Sequence, residues 1–129
     1  MSPRKAQILI IDDDAETRSL LRSWLESDGY DVAVAADGAE GLEVQRKKPA
    51  DIAITDIFMP GKEGMETLHE FHREFPETKL IVMSGGGRGG RVDYLEIARD
   101  FGAAKSFTKP FDMSDLSAAI LELLNLQGR

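Results

Sequence analysis

The sequence predicts one α/β domain in which helices cover both faces of a five-stranded parallel sheet. Five short apolar runs recur along the 129 residues, and a segment with helical periodicity follows each run. This alternation favours parallel strands joined by right-handed crossovers. A chain of this length suits a single compact domain, so we expect residues 1–129 to form it.

The five apolar runs each have the length of a β-strand. The first, third and fourth are apolar on both faces, as interior parallel strands are, and are rich in β-branched residues. The second run alternates between inward and outward types of side chain, and the fifth run is flanked by Lys105 and Lys109. We therefore place these two at the edges, which gives the flavodoxin-like order 2-1-3-4-5. The predicted strands are Ile8–Ile11, Val32–Ala36, Ile52–Thr55, Leu80–Met83 and Ala104–Phe107.

The helices are predicted from apolar residues spaced three or four positions apart. Asp28-Gly29 ends the first helix, and Asp37 followed by Glu40 resembles a capping box that opens the second. Pro76 closes the third, and Gly102 ends the fourth. The predicted apolar faces are Leu20, Leu21, Trp24 and Leu25; Leu42 and Val44; Met65, Leu68, Phe71 and Phe75; Val92, Leu95, Ala98 and Phe101; and Met113, Leu116, Ile120, Leu123 and Leu124.

Composition narrows the class of protein. The formal net charge of −7 disfavours direct binding to nucleic acid or to an anionic membrane, since such partners need an electropositive surface. The apolar runs are far shorter than the roughly 20 residues of a membrane helix. There is no cysteine, which excludes disulfides and thiolate chemistry. We expect a cytoplasmic protein.

Polar residues follow four of the predicted strands. Because ligands bind beyond the carboxyl ends of the strands in open parallel sheets, we expect these residues to converge on one small region. Asp14 is also a candidate N-cap for the first helix. The residues are Asp12, Asp13 and Asp14 after the first strand, Asp56 after the third, Ser84 after the fourth, and Lys109 with Pro110 after the fifth.

Such a cluster has a defined chemistry. Neighbouring carboxylates repel one another, so their pKa values rise or they recruit a cation. An all-oxygen ligand set with few protein ligands suits Mg²⁺. Asp56 would then stay ionised as a nucleophile, while Lys109 and the Ser84 hydroxyl would contact phosphoryl oxygens.

The sequence resembles the receiver domains of two-component response regulators over essentially its whole length. Four motifs carry the resemblance: "ILIIDDD" at 8–14, "DIAITDIFMPGKEGME" at 51–66, "KLIVMSG" at 79–85 and "SFTKPF" at 106–111. The resemblance implies that Asp12 and Asp13 bind Mg²⁺ together with Asp56 and the backbone carbonyl of Phe58. It also implies that Asp56 accepts a phosphoryl group from a phosphohistidine.

Further expectations follow from the resemblance. Ser84 and Phe107 correspond to the switch residues, Lys109 pairs with the phosphate, and the Lys109–Pro110 peptide bond is cis. Phosphorylation would change the face formed by the fourth helix, fifth strand and fifth helix, through which the protein could also dimerise. The implied partners are a sensor histidine kinase or histidine phosphotransfer protein and a downstream protein target. We expect a signalling protein rather than an enzyme, either stand-alone or excised from a longer chain.

The sequence departs from the family pattern between Ser84 and Lys109, which lie 25 positions apart (109 − 84), a few more than expected. Five of the six residues at 85–90 are glycine. This segment is either a surface loop that tolerates length or a loop that, with Arg88, tunes access to Asp56. A nucleotide-binding loop is disfavoured by the spacing. Gly86 would flank the path of the attacking water, as would Phe58.

Other features have simpler interpretations. His69 and His72 lie at i, i+3 spacing, which could ligate a metal but more often marks a solvated helix face. Trp24 is expected to pack in the core. Two alternative functions are a small aspartyl-phosphate phosphatase and an interaction module without phosphotransfer. The position of Asp56 after the third strand opposes the first, and the intact set of polar residues opposes the second.

Overall fold

The computed structural model describes residues 5–56, 63–84 and 102–127, which form a five-stranded parallel sheet with helices on both faces. The strand order is 2-1-3-4-5, and every neighbouring pair is parallel. The predicted fold class and strand order are therefore confirmed. The strands are β1 Gln7–Ile11, β2 Asp31–Ala35, β3 Ile52–Asp56, β4 Lys79–Ser84 and β5 Ala103–Thr108.

The burial of the strands follows their composition. All of β3 is buried, as are four of the five residues of β1 and five of the six of β4, whereas β2 and β5 alternate. A strand apolar on both faces is stable only between two layers of helix, which places β1, β3 and β4 at the centre. The prediction that β2 and β5 form the edges is confirmed.

The described helices begin and end close to the predicted signals. The Asp37 side chain accepts a hydrogen bond from the Glu40 backbone N–H, as the capping box predicted. The Glu40 carboxylate in turn accepts from the backbone N–H of Ala36. Gly29, just after the first helix, has a φ of 98°, which glycine adopts with little strain. The helices are α1 Ala15–Ser27, α2 Gly38–Lys47, α3 Glu63–Glu74 and a C-terminal helix, Met113–Gln127.

Each face of the sheet carries its own hydrophobic core. On one face, residues of α2 and α3 such as Leu42, Leu68 and Phe71 pack on β1, β3 and β4. On the other, residues of α1 and the C-terminal helix pack on the same strands; they are Leu21, Leu25, Leu116, Ile120 and Leu123. The two cores hold the sheet between helix layers, so the polar groups at the strand ends have a rigid base.

The predicted apolar face of α1 is too wide. Leu21 and Leu25 are buried, but Leu20 is 59% exposed and Trp24 is 39% exposed. The expectation that Trp24 packs in the core is therefore wrong. Its indole Nε1–H donates to the Ser117 hydroxyl at 2.8 Å, on the outside of the C-terminal helix. An indole can bury part of its ring while its polar edge stays near water.

The predicted fourth helix, with Val92, Leu95, Ala98 and Phe101, lies outside the described residues. None of the described helices is long and apolar enough to span a membrane.

Candidate functional site

The parallel topology brings Asp12 and Asp56 side by side. Ile11 is the register partner of Thr55, and these are the residues immediately before the two aspartates. On the other side of β3, Asp56 is the register partner of Met83, one residue before Ser84. The central strands are held by both cores, so their carboxyl ends present these polar side chains in one fixed arrangement.

Lys109 joins the two buried carboxylates. Its Nζ donates to Asp56 Oδ2 at 3.0 Å and to Asp12 Oδ2 at 3.2 Å. The Asp12 side chain is fully buried, Asp56 is 10% exposed and Lys109 is 27% exposed. The Lys109 backbone N–H donates to the Ser84 carbonyl at 2.8 Å, which fixes where the lysine leaves the sheet. The Lys109 ammonium is thus shared between two buried carboxylates.

The pKa values of Asp12 and Lys109 reflect this arrangement. Burial raises the pKa of Asp12 above its ordinary value; the Asp14 backbone N–H and the Lys109 ammonium lower it, and the charge of Asp56 raises it further. Burial alone would lower the pKa of Lys109. The hydrogen bond to Asp56 and the charges of Asp56 and Asp12 outweigh that effect, so the pKa is raised. Lys109 therefore stays charged, and ionising the buried Asp12 carboxyl is costly.

Asp13 completes a group of three carboxylates. One oxygen each from Asp12, Asp13 and Asp56 lies within 4.8 Å of the others, and Asp13 is exposed while the other two are buried. Oxygen atoms so close together, with one ligand open to water, fit the preference of a hard divalent cation for carboxylates and water. The sequence prediction that these three residues meet is confirmed.

The backbone holds Asp12 firmly. Its N–H donates to the Ala35 carbonyl at 3.1 Å, and its Oδ1 accepts from the Asp14 backbone N–H at 2.9 Å. Asp14 is the N-cap residue of α1, as predicted, and its carboxylate accepts from the Thr17 hydroxyl at 2.6 Å. Of the three aspartates in the run, Asp12 is thus buried and held by the backbone, whereas Asp13 and Asp14 are exposed.

The predicted switch residues lie on neighbouring strands. Ser84 is buried, and its register partner Thr108 directly follows Phe107. The Phe107 ring is half-buried and packs against Phe111, with 5.1 Å between ring centroids. The Lys109–Pro110 peptide bond is cis, as the resemblance implied.

Three predicted residues, Phe58, Gly86 and Arg88, lie outside the described residues, so their roles stay predictions. His69 and His72 are both exposed, as expected for a solvated helix face. The His72 ring lies against Gly102, where a Cβ would collide with it.

Sequence reasoning missed Arg18. Its guanidinium Nη1–H donates to the backbone carbonyl of Asp12 at 2.7 Å, and the side chain is partly buried. A pattern signal exists in hindsight, because a cation one turn into a helix that follows an acidic run can reach back to that run.

Comparison with known proteins agrees with this geometry. A family model described as "Response regulator receiver domain" matches residues 8–121. The chain belongs to this family. Members are the receiver domains of two-component response regulators, which are phosphorylated on aspartate and interact with histidine kinases or phosphotransfer proteins and with downstream effectors.

The relatives differ in how much of their own length this chain spans. "Sporulation initiation phosphotransferase F" of Bacillus subtilis is 30% identical over 95% of this chain and 96% of its own length. "Aerobic respiration control protein ArcA" of Escherichia coli is 36% identical over 92% of this chain, which spans only 48% of that protein. A CheY-like receiver from Methanospirillum hungatei superposes with a TM-score of 0.89 at 31% identity, covering 97% of this chain and 98% of its own.

Proposed function

We propose that Asp56 is the phosphoacceptor of this receiver and that Asp12, Asp13 and Asp56 hold Mg²⁺ together with the Phe58 carbonyl. The observation that carries the proposal is the pair of contacts from Lys109 to Asp56 and Asp12, beside the exposed Asp13. Ligands of open parallel sheets bind at the carboxyl ends of the strands. The Lys109 ammonium, which bridges the two carboxylates there, can pair with an anionic group.

The proposed reaction transfers a phosphoryl group from a phosphohistidine on a sensor kinase or phosphotransfer protein. A carboxylate oxygen of Asp56 attacks phosphorus in line, and the phosphorus–nitrogen bond breaks with its electron pair leaving on the imidazole. Bound Mg²⁺ would neutralise charge on the phosphoryl oxygens. Lys109 is already charged and partly desolvated, so it pairs with a phosphoryl oxygen without reorganising.

Ser84 and Phe107 carry the proposed response. The Ser84 hydroxyl lies at the end of β4, where it can donate to an oxygen of phosphorylated Asp56. Movement of Ser84 would free space for the half-buried Phe107, altering the surface of β5 and the C-terminal helix. That surface, with the predicted fourth helix, is the proposed contact for a downstream protein or a second copy.

The chemistry proposed for the chain is limited to its own phosphorylation and hydrolysis, so we class it as a signalling protein rather than an enzyme. Gly86 and Arg88 remain candidates for setting the lifetime of the phosphoryl group. A cytoplasmic location is part of the same proposal.

Labelling with acetyl phosphate and Mg²⁺ tests the function. We expect intact-mass measurement to show one added phosphoryl group, lost on treatment with hydroxylamine, and Asp56→Asn to remain unlabelled. Asp51→Asn is a matched control, because Asp51 lies just before β3, whereas Asp56 is its last residue. The Asp51 carboxylate accepts a hydrogen bond from the Gln7 backbone N–H. Wild-type protein that takes up no phosphoryl group, or labelling that persists in Asp56→Asn, would contradict the proposal.

A further inference from the structure

Arg18 reaches the acidic cluster through the backbone rather than through a carboxylate. It lies in the first turns of α1, partly buried, and its Nη1–H donates to the carbonyl oxygen of Asp12 at 2.7 Å. That carbonyl belongs to the peptide unit that joins Asp12 to Asp13. The peptide unit is planar, so fixing its oxygen also fixes the direction in which the chain enters Asp13.

Asp12 and Asp13 differ in how they are held. Asp12 is buried, and its N–H, Oδ1 and Oδ2 contact Ala35, Asp14 and Lys109 respectively. Asp13 is exposed, and its carboxylate makes no hydrogen bond with another residue of the described ranges 5–56, 63–84 and 102–127. Its placement beside Asp12 and Asp56 therefore depends on the backbone that carries it.

We propose that Arg18 is a positioning residue that holds the Asp12–Asp13 peptide unit so that the Asp13 carboxylate completes the divalent-cation site. The proposal rests on the proposed function, because it assumes that the three carboxylates bind Mg²⁺. A guanidinium suits this task, since it is always charged and holds its donors in a rigid plane. Residues that orient metal ligands typically change metal affinity about 10–100-fold when removed.

The direction in which Mg²⁺ affinity changes when Arg18 is replaced distinguishes a positioning role from a purely Coulombic role. Arg18 is a cation beside a cation site, so a purely Coulombic role predicts tighter Mg²⁺ binding when the charge is removed. Loss of positioning predicts weaker binding. The two explanations therefore give opposite outcomes for the same substitution.

The test is a calorimetric titration of Mg²⁺ into the full chain carrying Arg18→Met, Arg18→Lys or Arg22→Met. Arg22 lies one turn further along α1 and pairs with Glu26 on the exposed surface, so it is a matched control for removal of one positive charge. We expect Arg18→Met to bind Mg²⁺ about tenfold more weakly. Arg22→Met should stay within about twofold of wild type, and Arg18→Lys should fall between them.

A second measurement excludes a general loss of structure. With acetyl phosphate, the labelling rate of Arg18→Met should return to the wild-type value at saturating Mg²⁺, because Asp56, Lys109 and Ser84 are unchanged. A rate that stays low at saturation would overturn the proposal, as would Arg18→Met binding Mg²⁺ as tightly as wild type or more so. If wild-type protein is labelled and binds Mg²⁺ normally, such a result overturns only the role of Arg18 and leaves the proposed function standing. Wild-type protein that binds no Mg²⁺ overturns both this inference and the proposed metal site.

Discussion

Buried polar groups lie at both ends of the parallel strands, and their partners differ between the two ends. We call the side of the sheet where the strands begin the amino edge and the side where they finish the carboxyl edge. At the amino edge, the fully buried Gln45 side chain donates to the Thr78 hydroxyl at 2.9 Å and accepts from the Ala50 backbone N–H at 3.1 Å. Thr78 in turn donates to the Ala50 carbonyl at 2.8 Å. This group is neutral, and each member satisfies another.

At the carboxyl edge, Asp12, Asp13 and Asp56 lie together, and the Lys109 ammonium pairs with both Asp12 and Asp56. Two of the three carboxylates are buried, and the pKa of Asp12 is raised chiefly by that burial. A buried network of neutral partners contributes to stability, whereas unbalanced buried charge costs free energy. The difference fits the proposed function, in which the amino edge contributes stability and the carboxyl edge would bind a divalent cation and a phosphoryl group.

The largest change in stability is expected at the amino edge. Gln45→Ala leaves the Ala50 N–H without its acceptor and opens a cavity, so the free energy of unfolding should fall by about 3 kcal/mol. Urea unfolding measures this. Gln7→Ala is the control, because the Gln7 amide donates to Asp31 on the exposed surface, and it should cost about 0.5 kcal/mol or less. Equal losses in the two variants would contradict the assignment of Gln45 to a buried stabilising network, as would altered Mg²⁺ affinity in Gln45→Ala.

A smaller loss is expected when the carboxyl edge loses its cation. Lys109→Met keeps most of the side-chain volume but leaves Asp12 and Asp56 facing each other. Without metal at pH 7, the free energy of unfolding should fall by about 2 kcal/mol, less than for a fully enclosed pair because Lys109 is 27% exposed. Saturating Mg²⁺ should recover part of that loss, and labelling of Asp56 should become slower.

Lys105→Met is the matched control for this variant. Lys105 lies on β5, the strand that Lys109 follows, and its Nζ pairs with Glu122 at 2.8 Å on the surface of the C-terminal helix. An exposed pair of this kind contributes about 0.5 kcal/mol. If both lysine variants lose the same stability, Lys109 is not balancing buried charge.

The sequence predicts the carboxyl edge better than the amino edge, for a physical reason. Asp12, Asp56, Ser84 and Lys109 each follow an apolar run, and the parallel topology brings all such positions to one edge. The position of the site therefore follows from strand boundaries alone. Gln45 gives no such signal, because a glutamine among polar residues of a helix is usually exposed.

Two further features depend on details that sequence periodicity does not contain. Periodicity gives the position of the apolar face of α1 but not its width, and Trp24 is 39% exposed despite its core-like spacing. The Arg18 contact depends on the side-chain conformation of a long residue and on a backbone carbonyl as its acceptor. The residue pattern places an arginine within reach of the acidic run, but it does not show which atom the arginine contacts.

The smallest expected change in the free energy of unfolding is an increase. Asp12→Asn removes the buried carboxylate but keeps an oxygen that can accept from the Asp14 N–H. In metal-free buffer at pH 7, it should raise the free energy of unfolding by about 1 kcal/mol, since a costly buried charge is lost. Mg²⁺ affinity should fall at least about tenfold. Asp13→Asn also removes one charge from the cluster, but from an exposed position, so it should weaken Mg²⁺ binding with little gain in stability.

The gain from Asp12→Asn should also depend on pH. The folded state raises the pKa of Asp12, so it holds that proton more tightly than the unfolded chain does. The Asp12 contribution to stability is therefore greatest below the ordinary carboxyl pKa and is lost as the pH rises through the raised value. Below that window wild-type Asp12 is neutral, like asparagine, and the two proteins should unfold alike in chelator. The difference should open as the pH rises and stay constant above the window, whereas a gain that is the same at every pH would show that the charge of Asp12 is not its source.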